Sequence, residues 1–260
     1  MSATLGAHWL RFGVDLNVND VQQQREDNIQ GRYDYKSLDD FLAGRISRFR
    51  QTVLTFSPDD AFFKGTQKEL AAYVHDKVSL GTSVTITAGL RWEGQWNPQP
   101  TKPNPAIPST GFIPSDLHQW QPRGGVSWDV NGTGKTVLRV TGGLYDARTP
   151  ATLFQRVFTD NGINTIAVDS KFDPNVLNFV TVPYPLSSMP PGIKVPAPRV
   201  FGFDPSFQNP RSWQGAAAVD QLVGESVTVS VSYVHVRSAP TTRWARCLNR
   251  PTPPSCSRRR

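Results

Sequence analysis

The sequence contains no apolar run long enough for a membrane-spanning helix, which needs about 18 consecutive apolar residues. The chain of 260 residues is 38% hydrophobic, and its mean hydropathy is −0.39. These values exclude a helical membrane protein. They remain compatible with a membrane β-barrel, in which only alternate residues face lipid.

Cysteine is scarce, with only Cys247 and Cys256 in the whole chain. Neither a Cys-x-x-Cys motif nor a Cys/His ligand spacing occurs, so we predict no zinc site. The two cysteines fit a small disulfide in an oxidising compartment and two free surface thiols equally well.

Catalytic signatures are absent. The chain has no Gly-x-Ser-x-Gly and no His-Glu-x-x-His motif. The stretch GTGKT at 132–136 lacks the first glycine of a phosphate loop, because Asp129 occupies that position, and it precedes a predicted strand rather than a helix. The paired carboxylates at 39–40 and 59–60 lack calcium-loop spacing and are interpreted as solvated turns. The four histidines are far apart in sequence: His8, His75, His118 and His235.

We therefore predict that the protein is not an enzyme and has no catalytic, cofactor-binding or metal-binding residues and no cofactor. The formal net charge of +7 does not point to nucleic acid, because the basic residues are scattered. The dense cluster SRRR at 257–260 is interpreted as the end of a solvated basic tail, 247–260. A basic surface also suits anionic lipid headgroups.

Strict alternation of apolar and polar residues is the main positive signal, and it is clearest in HWLRFGVDLNVND at 8–20. In an extended strand, alternate side chains point to opposite faces. The predicted lipid-facing row is Leu10, Phe12, Val14, Leu16 and Val18. The predicted lumen-facing row is Arg11, Asp15, Asn17 and Asn19.

The same alternation returns at 82–94, 135–148 and 225–236, and short turns join these strands to their neighbours. Turns are predicted near Gly81 and at Asn131-Gly132, a pair typical of two-stranded hairpins. The remaining connections are long and rich in proline, at 96–120 and 170–213. Short turns at one end and long loops at the other are typical of an outer-membrane barrel, although alternation by itself also fits a soluble β-sandwich.

Aromatic side chains near the predicted strand ends favour a girdle at the membrane interface, as found in outer-membrane barrels. Positions near strand ends are equally compatible with ordinary core packing of the same residues. The predicted girdle residues are Trp92, Trp96, Trp120, Trp128, Tyr145 and Tyr233.

Four blocks in order resemble one family, the Oar-like TonB-dependent outer-membrane receptors. SLDDFLAGRISRFRQ (37–51) resembles its Asp-Phe-Leu-x-Gly segment, and AAYVHDKVSLGTSVTITAGLRWE (71–93) resembles two of its paired strands. QPRGGVSWDVNGTGKTVLRVTGGLYDAR (121–148) and RSWQGAAAVDQLVGESVTVSVSYVHVRS (211–238) resemble the two hairpins that follow. The chain departs from the second block at His75 and Trp92, where the family usually has Gln and Tyr.

The resemblance implies a β-barrel of about 22 strands with an N-terminal plug, driven through TonB and moving large substrates across the outer membrane of Gram-negative cells. No signal peptide, plug or TonB box is visible in these residues. The resemblance thus implies three partners: outer-membrane lipid, the remainder of the receptor (plug and missing strands), and the TonB complex, reached only through a missing N-terminal region.

The sequence therefore predicts an all-β fold over a single domain, 1–260. The expected architecture is an antiparallel up-and-down transmembrane β-barrel, here a partial barrel of roughly eight to ten strands with long Pro-rich loops. The expected role is that of a non-catalytic outer-membrane transport receptor. The substrate-binding residues are unknown, and the loops 96–120 and 170–213 are the contact candidates by position. The alternatives are a small autonomous porin-like barrel and a soluble carbohydrate-binding β-sandwich.

Overall fold

The computed structural model describes residues 1–24, 28–239, 244–248 and 256–258, and β-strands dominate these residues. The strands are β1 (Ser2–Leu5), β2 (His8–Gln24), β3 (Arg32–Asp34), β4 (Arg48–Leu54), β5 (Phe62–Leu80), β6 (Val84–Trp96), β7 (Asp116–Asp129), β8 (Thr136–Asp146), β9 (Thr165–Asp169), β10 (Arg199–Phe203), β11 (Arg211–Val223), β12 (Val227–Ala239), β13 (Trp244–Leu248) and β14 (Cys256–Arg258). The α-helices are α1 (Leu38–Leu42) and α2 (Gln155–Thr159). Neither of them, nor any other helix in this part of the chain, has the length and apolar character needed to cross a membrane.

Eight strands form one antiparallel main sheet, in the order β1-β2-β5-β6-β7-β8-β11-β12. Each strand pairs with the next main-sheet strand along the chain, as in an up-and-down meander. The sheet does not close, so β1 and β12 are its edges among the described residues. The prediction of a partial antiparallel barrel of eight to ten strands is confirmed.

The connections differ sharply at the two ends of the main sheet. Short turns at 81–83, 130–135 and 224–226 close the hairpins at one end. Gly81 and Gly224 adopt positive φ there (63° and 67°), which residues with a Cβ rarely tolerate. The predicted asymmetry of the two ends is therefore present.

The long connections, 28–61, 97–115 and 147–210, lie at the opposite end. Together with the short strands β13, which pairs with β10, and β14, which pairs with β13, they are called the loop cap. Two of them differ from the predicted loops. The first predicted loop, 96–120, is shorter, because β7 already pairs with β6 from residue 116 onward. The second begins earlier than predicted, because β8 ends at residue 146.

The loop cap has ordered structure of its own, where the sequence predicted irregular loops. The strands β3, β4 and β9 form one small antiparallel sheet, and β10, β13 and β14 form another. The helix α1 begins at the Ser37 cap, whose hydroxyl accepts a hydrogen bond from the Asp40 amide at 3.1 Å. The family-like segment SLDDFL therefore forms this helix.

The apolar core lies in the loop cap and not under the main sheet. One cluster surrounds Phe63, Phe154 and Phe203, and a second surrounds Phe49 and Val168. Of the buried apolar side chains that the structure describes, only those of Phe63 and Ala71 belong to the main sheet. A soluble β-sandwich would have the opposite distribution, with its core against the sheet.

One face of the main sheet is apolar and exposed. The predicted lipid-facing residues of β2 share this face, and Val14 and Leu16 are 70% and 71% exposed. Cross-strand register extends the same face over the neighbouring strands, since Leu16 lies opposite Leu70, and Val74 lies opposite Leu90. It reaches β12 through Val219, which lies opposite Val231. Such a face suits contact with lipid.

The predicted aromatic girdle is on this apolar face, with one exception. Trp92 and Trp120 lie opposite each other on β6 and β7, with ring centroids 6.5 Å apart. Trp96, Trp128 and Tyr233 are exposed on the same face. Tyr145 was assigned wrongly: register places it on the polar face of β8, opposite Ser212, where its ring lies under a guanidinium.

Part of the predicted basic tail, 247–260, is in strands. The backbones of β13 and β14 pair so that Cys247 lies opposite Cys256. The side chains of both cysteines, and residues 249–255 and 259–260, are outside the described part of the chain. The two interpretations of the cysteines therefore remain open.

Candidate functional site

The polar face of the main sheet carries the candidate site. Register places Asp15, Ala71 and Glu93 in one cross-strand row, and Asn17, Glu69 and Gln95 in the next row toward the loop cap. The structure places the predicted lumen-facing row of β2 on this polar face, on the opposite side of the sheet from the predicted lipid-facing row. The partners on β5 and β6 follow from strand pairing and were not named from the sequence.

Arg91 is the centre of an ion-pair network on this face. Its Nη1 lies 2.8 Å from Asp15 Oδ2, and its Nη2 lies 2.6 Å from Glu93 Oε1. The small side chain of Ala71, between Asp15 and Glu93, leaves room for the guanidinium to reach across β5. Gln121 completes the site by donating to Glu93 Oε2 at 2.9 Å. Glu93 is therefore buried but fully partnered.

Arg148 ties the loop cap to the same network. Its Nη1 lies 2.9 Å from Glu69 Oε2, and its Nη2 lies 3.4 Å from Glu93 Oε1. Asn17 also donates to Glu69 Oε2, at 3.0 Å. The connection after β8 thus folds back over the polar face and neutralises two wall carboxylates.

Buried amides continue this contact above the ion pairs. Gln67 and Gln95 both donate to the Thr149 carbonyl, at 2.9 Å and 2.8 Å. Asn209 donates to Gln95 Oε1 at 2.8 Å. Buried polar groups are costly unless paired, so this set of bonds fixes the loop cap in one position on the wall.

Asp60 anchors the loop cap in a similar way, so the interpretation of 59–60 as a solvated turn is wrong for this residue. Its carboxylate, only 1% exposed, lies 2.7 Å from Lys102 Nζ. It also accepts hydrogen bonds from the amides of Phe56 and Ser57. Burial acts to raise the pKa of Asp60, but Lys102 and the two amides outweigh it, so this pKa is lower than that of an ordinary aspartate.

This pKa has a consequence for acid stability. A carboxyl whose pKa is lower in the folded state binds fewer protons there than in the unfolded chain, so its contribution is complete above about pH 5 and declines progressively as the pH falls below about 4. We expect Asp60→Asn to destabilise the protein at pH 7 by about 1.5–3 kcal/mol. The free energy of unfolding of this variant should also fall less between about pH 5 and pH 3 than that of the parent. Denaturant titrations from pH 3 to pH 7 measure both effects. Asp59→Asn is the control, because its side chain is 76% exposed; an equal loss there contradicts this interpretation.

The sequence identifies the polar face of β2 but not the loop-cap residues that bind to this face. Arg148 and Thr149 lie between the two predicted contact loops, 96–120 and 170–213, and Asn209 lies inside the second of them. Arg148 is 79 residues from Glu69 along the chain. No local pattern links residues so far apart, although an arginine just after a strand on a carboxylate-bearing sheet is a usable signal.

The arrangement holds charge in place and shows no assembled reaction centre. Within the described residues, no group of three metal-ligating side chains comes together. His8 pairs with Asp76 at 2.7 Å on the apolar face, away from the ion-pair network.

Comparison with known proteins agrees with this geometry. The chain is similar in fold to the outer membrane transporter YddB from Escherichia coli, with a TM-score of 0.54 and 14% identity. The match covers 92% of this chain and 24% of that transporter, so the chain spans about a quarter of its length. No curated protein matches the chain. The model of the family described as an outer membrane beta barrel domain matches residues 1–258. With nearly its whole length matched by this model, the chain belongs to the outer membrane β-barrel domain family.

Proposed function

We propose that the chain forms part of the wall of a TonB-dependent outer-membrane transporter of the Oar-like class, and that it has no catalytic role of its own. The observation that carries the proposal is the two-faced main sheet. Its apolar face is exposed for lipid, and its polar face carries an ion-paired lining under the loop cap. Family membership and the four receptor-like blocks support the same conclusion.

Strand length supports a wall that extends beyond the bilayer. β2 and β5 contain 17 and 19 residues, whereas crossing the hydrocarbon layer takes about 9–11 tilted residues. The extra length carries the strands into the loop cap. Long strands of this kind suit a receptor that presents an ordered surface outside the membrane.

The free edges of the main sheet argue for further strands. β1 covers only His8–Arg11 of β2, and β12 pairs on one side only among the described residues. In lipid each unpaired backbone group costs several kcal/mol, so edges must be closed. We propose that the remaining strands and a plug from the rest of the receptor supply this closure, and that TonB acts through that plug.

The alternatives fit the structure less well. An autonomous porin-like barrel would close its sheet within the chain, whereas β1 and β12 are not paired with each other. A soluble carbohydrate-binding β-sandwich would cover its apolar face, whereas Val14 and Leu16 are exposed.

Cell fractionation tests the proposal. Native cells are separated into soluble, inner-membrane and outer-membrane fractions and probed with an antibody to residues 121–148. We expect an outer-membrane band, either well above 28.8 kDa or at that mass and co-purifying with other receptor pieces. A soluble band at that mass overturns the proposal. A lone outer-membrane band of that mass with a heat-modifiable gel shift would instead support the autonomous barrel.

A further inference from the structure

A second, basic region of the polar face lies nearer the short turns than the ion-pair network. One cross-strand row runs Arg11, His75, Gly89, Arg123, Gly143 and Gln214. The row below it runs Trp9, Lys77, Thr87, Gly125, Thr141 and Ala216. Neither row contains an aspartate or a glutamate from β1 to β12.

The nearest carboxylates on this face are already occupied. Above the two rows, Asp15 and Glu93 are paired with Arg91. Below them, Asp220 is paired with Arg139, and Asp129 in the same row accepts a hydrogen bond from the Gly134 amide. The positive charges of the two rows are therefore uncompensated by the wall, unlike those of the network above.

Two uncharged side chains orient the guanidinium group of Arg123. Its Nη2 donates to Gln121 Oε1 at 2.7 Å, and its guanidinium carbon lies 4.4 Å from the Tyr145 ring centroid. Gly143 allows this pose, because a Cβ there would lie 2.9 Å from Arg123 Cγ. The guanidinium keeps donors available for a further acceptor, since an arginine has five N–H groups.

A cavity of about 370 Å³ opens among these side chains, lined by Trp9, Arg11, His75, Arg91 and Arg123. Gly89 lies between His75 and Arg123 in the row, so no side chain from β6 fills this position. Arg11 and Arg123 are three strand spacings apart, about 14 Å between backbones. Two long side chains can therefore reach one anion from opposite sides.

We propose that this basic cavity binds a small polyanion bearing carboxylate or phosphate groups, with Arg11 and Arg123 as its main contacts and His75 beside them. Guanidinium groups bind both kinds of anion through paired hydrogen bonds. In an aqueous lumen, the unbalanced positive charge also attracts such solutes. The inference deepens the proposed function, on which it rests for the water-filled lumen, by naming the chemical class of the solute.

Calorimetric titration tests the proposal on the full chain in an uncharged detergent, with citrate and inorganic pyrophosphate as separate probes. We expect at least one probe to bind, with an affinity that falls as salt is added. The double variant Arg11→Gln/Arg123→Gln is expected to weaken binding about tenfold or more. A preference for citrate or for pyrophosphate distinguishes a carboxylate from a phosphate ligand.

Arg237→Gln is the control for charge removal, because it takes one positive charge from the apolar face of β12, where the double variant takes two from the polar face. Circular dichroism checks that all variants keep the β-sheet signal. The proposal is overturned if neither probe binds, if the double variant binds as well as the parent, or if the control weakens binding equally. Fractionation is independent of this result, so a protein in the outer membrane that binds no anion overturns this inference alone.

Discussion

Replacing Arg91 with alanine is expected to destabilise the folded chain by about 3–5 kcal/mol, because it removes the counter-charge of a buried carboxylate. Glu93 would lose its main counter-charge while remaining buried. Asp15 on β2 would lose its ion-pair partner on β6. Urea unfolding in detergent micelles, followed by tryptophan fluorescence, measures the change in the free energy of unfolding.

Arg139→Ala is the control for this variant. Arg139 pairs with Asp220 on the same polar face, but the arginine side chain is 54% exposed. Exposed pairs contribute about 0–1 kcal/mol, so a much smaller loss is expected. Equal losses for the two variants would mean that Arg91 contributes no more to the free energy of unfolding than an exposed arginine does.

Placing a charge on the apolar face should prevent membrane assembly. Val14 lies at the centre of the exposed apolar row of β2, and Val14→Arg is expected to cost about 2–4 kcal/mol at mid-bilayer. The measurement is the fraction of chain that folds into lipid vesicles, read as protease protection. We expect the ratio of assembled to unassembled chain to fall by at least about tenfold, since each 1.4 kcal/mol is a factor of ten in an equilibrium constant.

Asn19→Arg introduces the same side chain into the same strand on the opposite face. Asn19 is half-buried and lies in the predicted lumen-facing row, where water solvates a charge. Assembly of this variant should match that of the parent chain. If both variants assemble equally well, or if Asn19→Arg is the worse of the two, the assignment of faces is wrong.

The sequence predicts the main sheet well because its signal is local. A period of two decides which face each side chain joins, and one register shift would place Val14 and Leu16 on the polar face. Glycine turns such as Gly81 then fix where the hairpins close. The alternation of apolar and polar residues and the turn glycines can each be recognised from a few consecutive residues.

The loop cap could not be predicted in the same way. Its order depends on contacts between distant segments, such as Phe63 with Phe158 and Asp60 with Lys102. Proline-rich segments predict loops, but they do not indicate which apolar side chains will meet. The wrong placement of Tyr145 has a related cause, because an aromatic near a strand end suits a girdle until strand pairing shows that it faces Arg123.

Phe63 anchors the loop cap to the main sheet. The residue is part of β5, yet its ring is buried in the cap, 4.8 Å from the ring of Phe158. The long connections are therefore fixed to the wall by packed side chains as well as by their backbone ends. A surface held in this way loses little conformational entropy when it meets another molecule. If the chain is part of a receptor, as proposed, recognition at the loop cap would depend on shape and charge already in place, with little folding of loops around the incoming molecule.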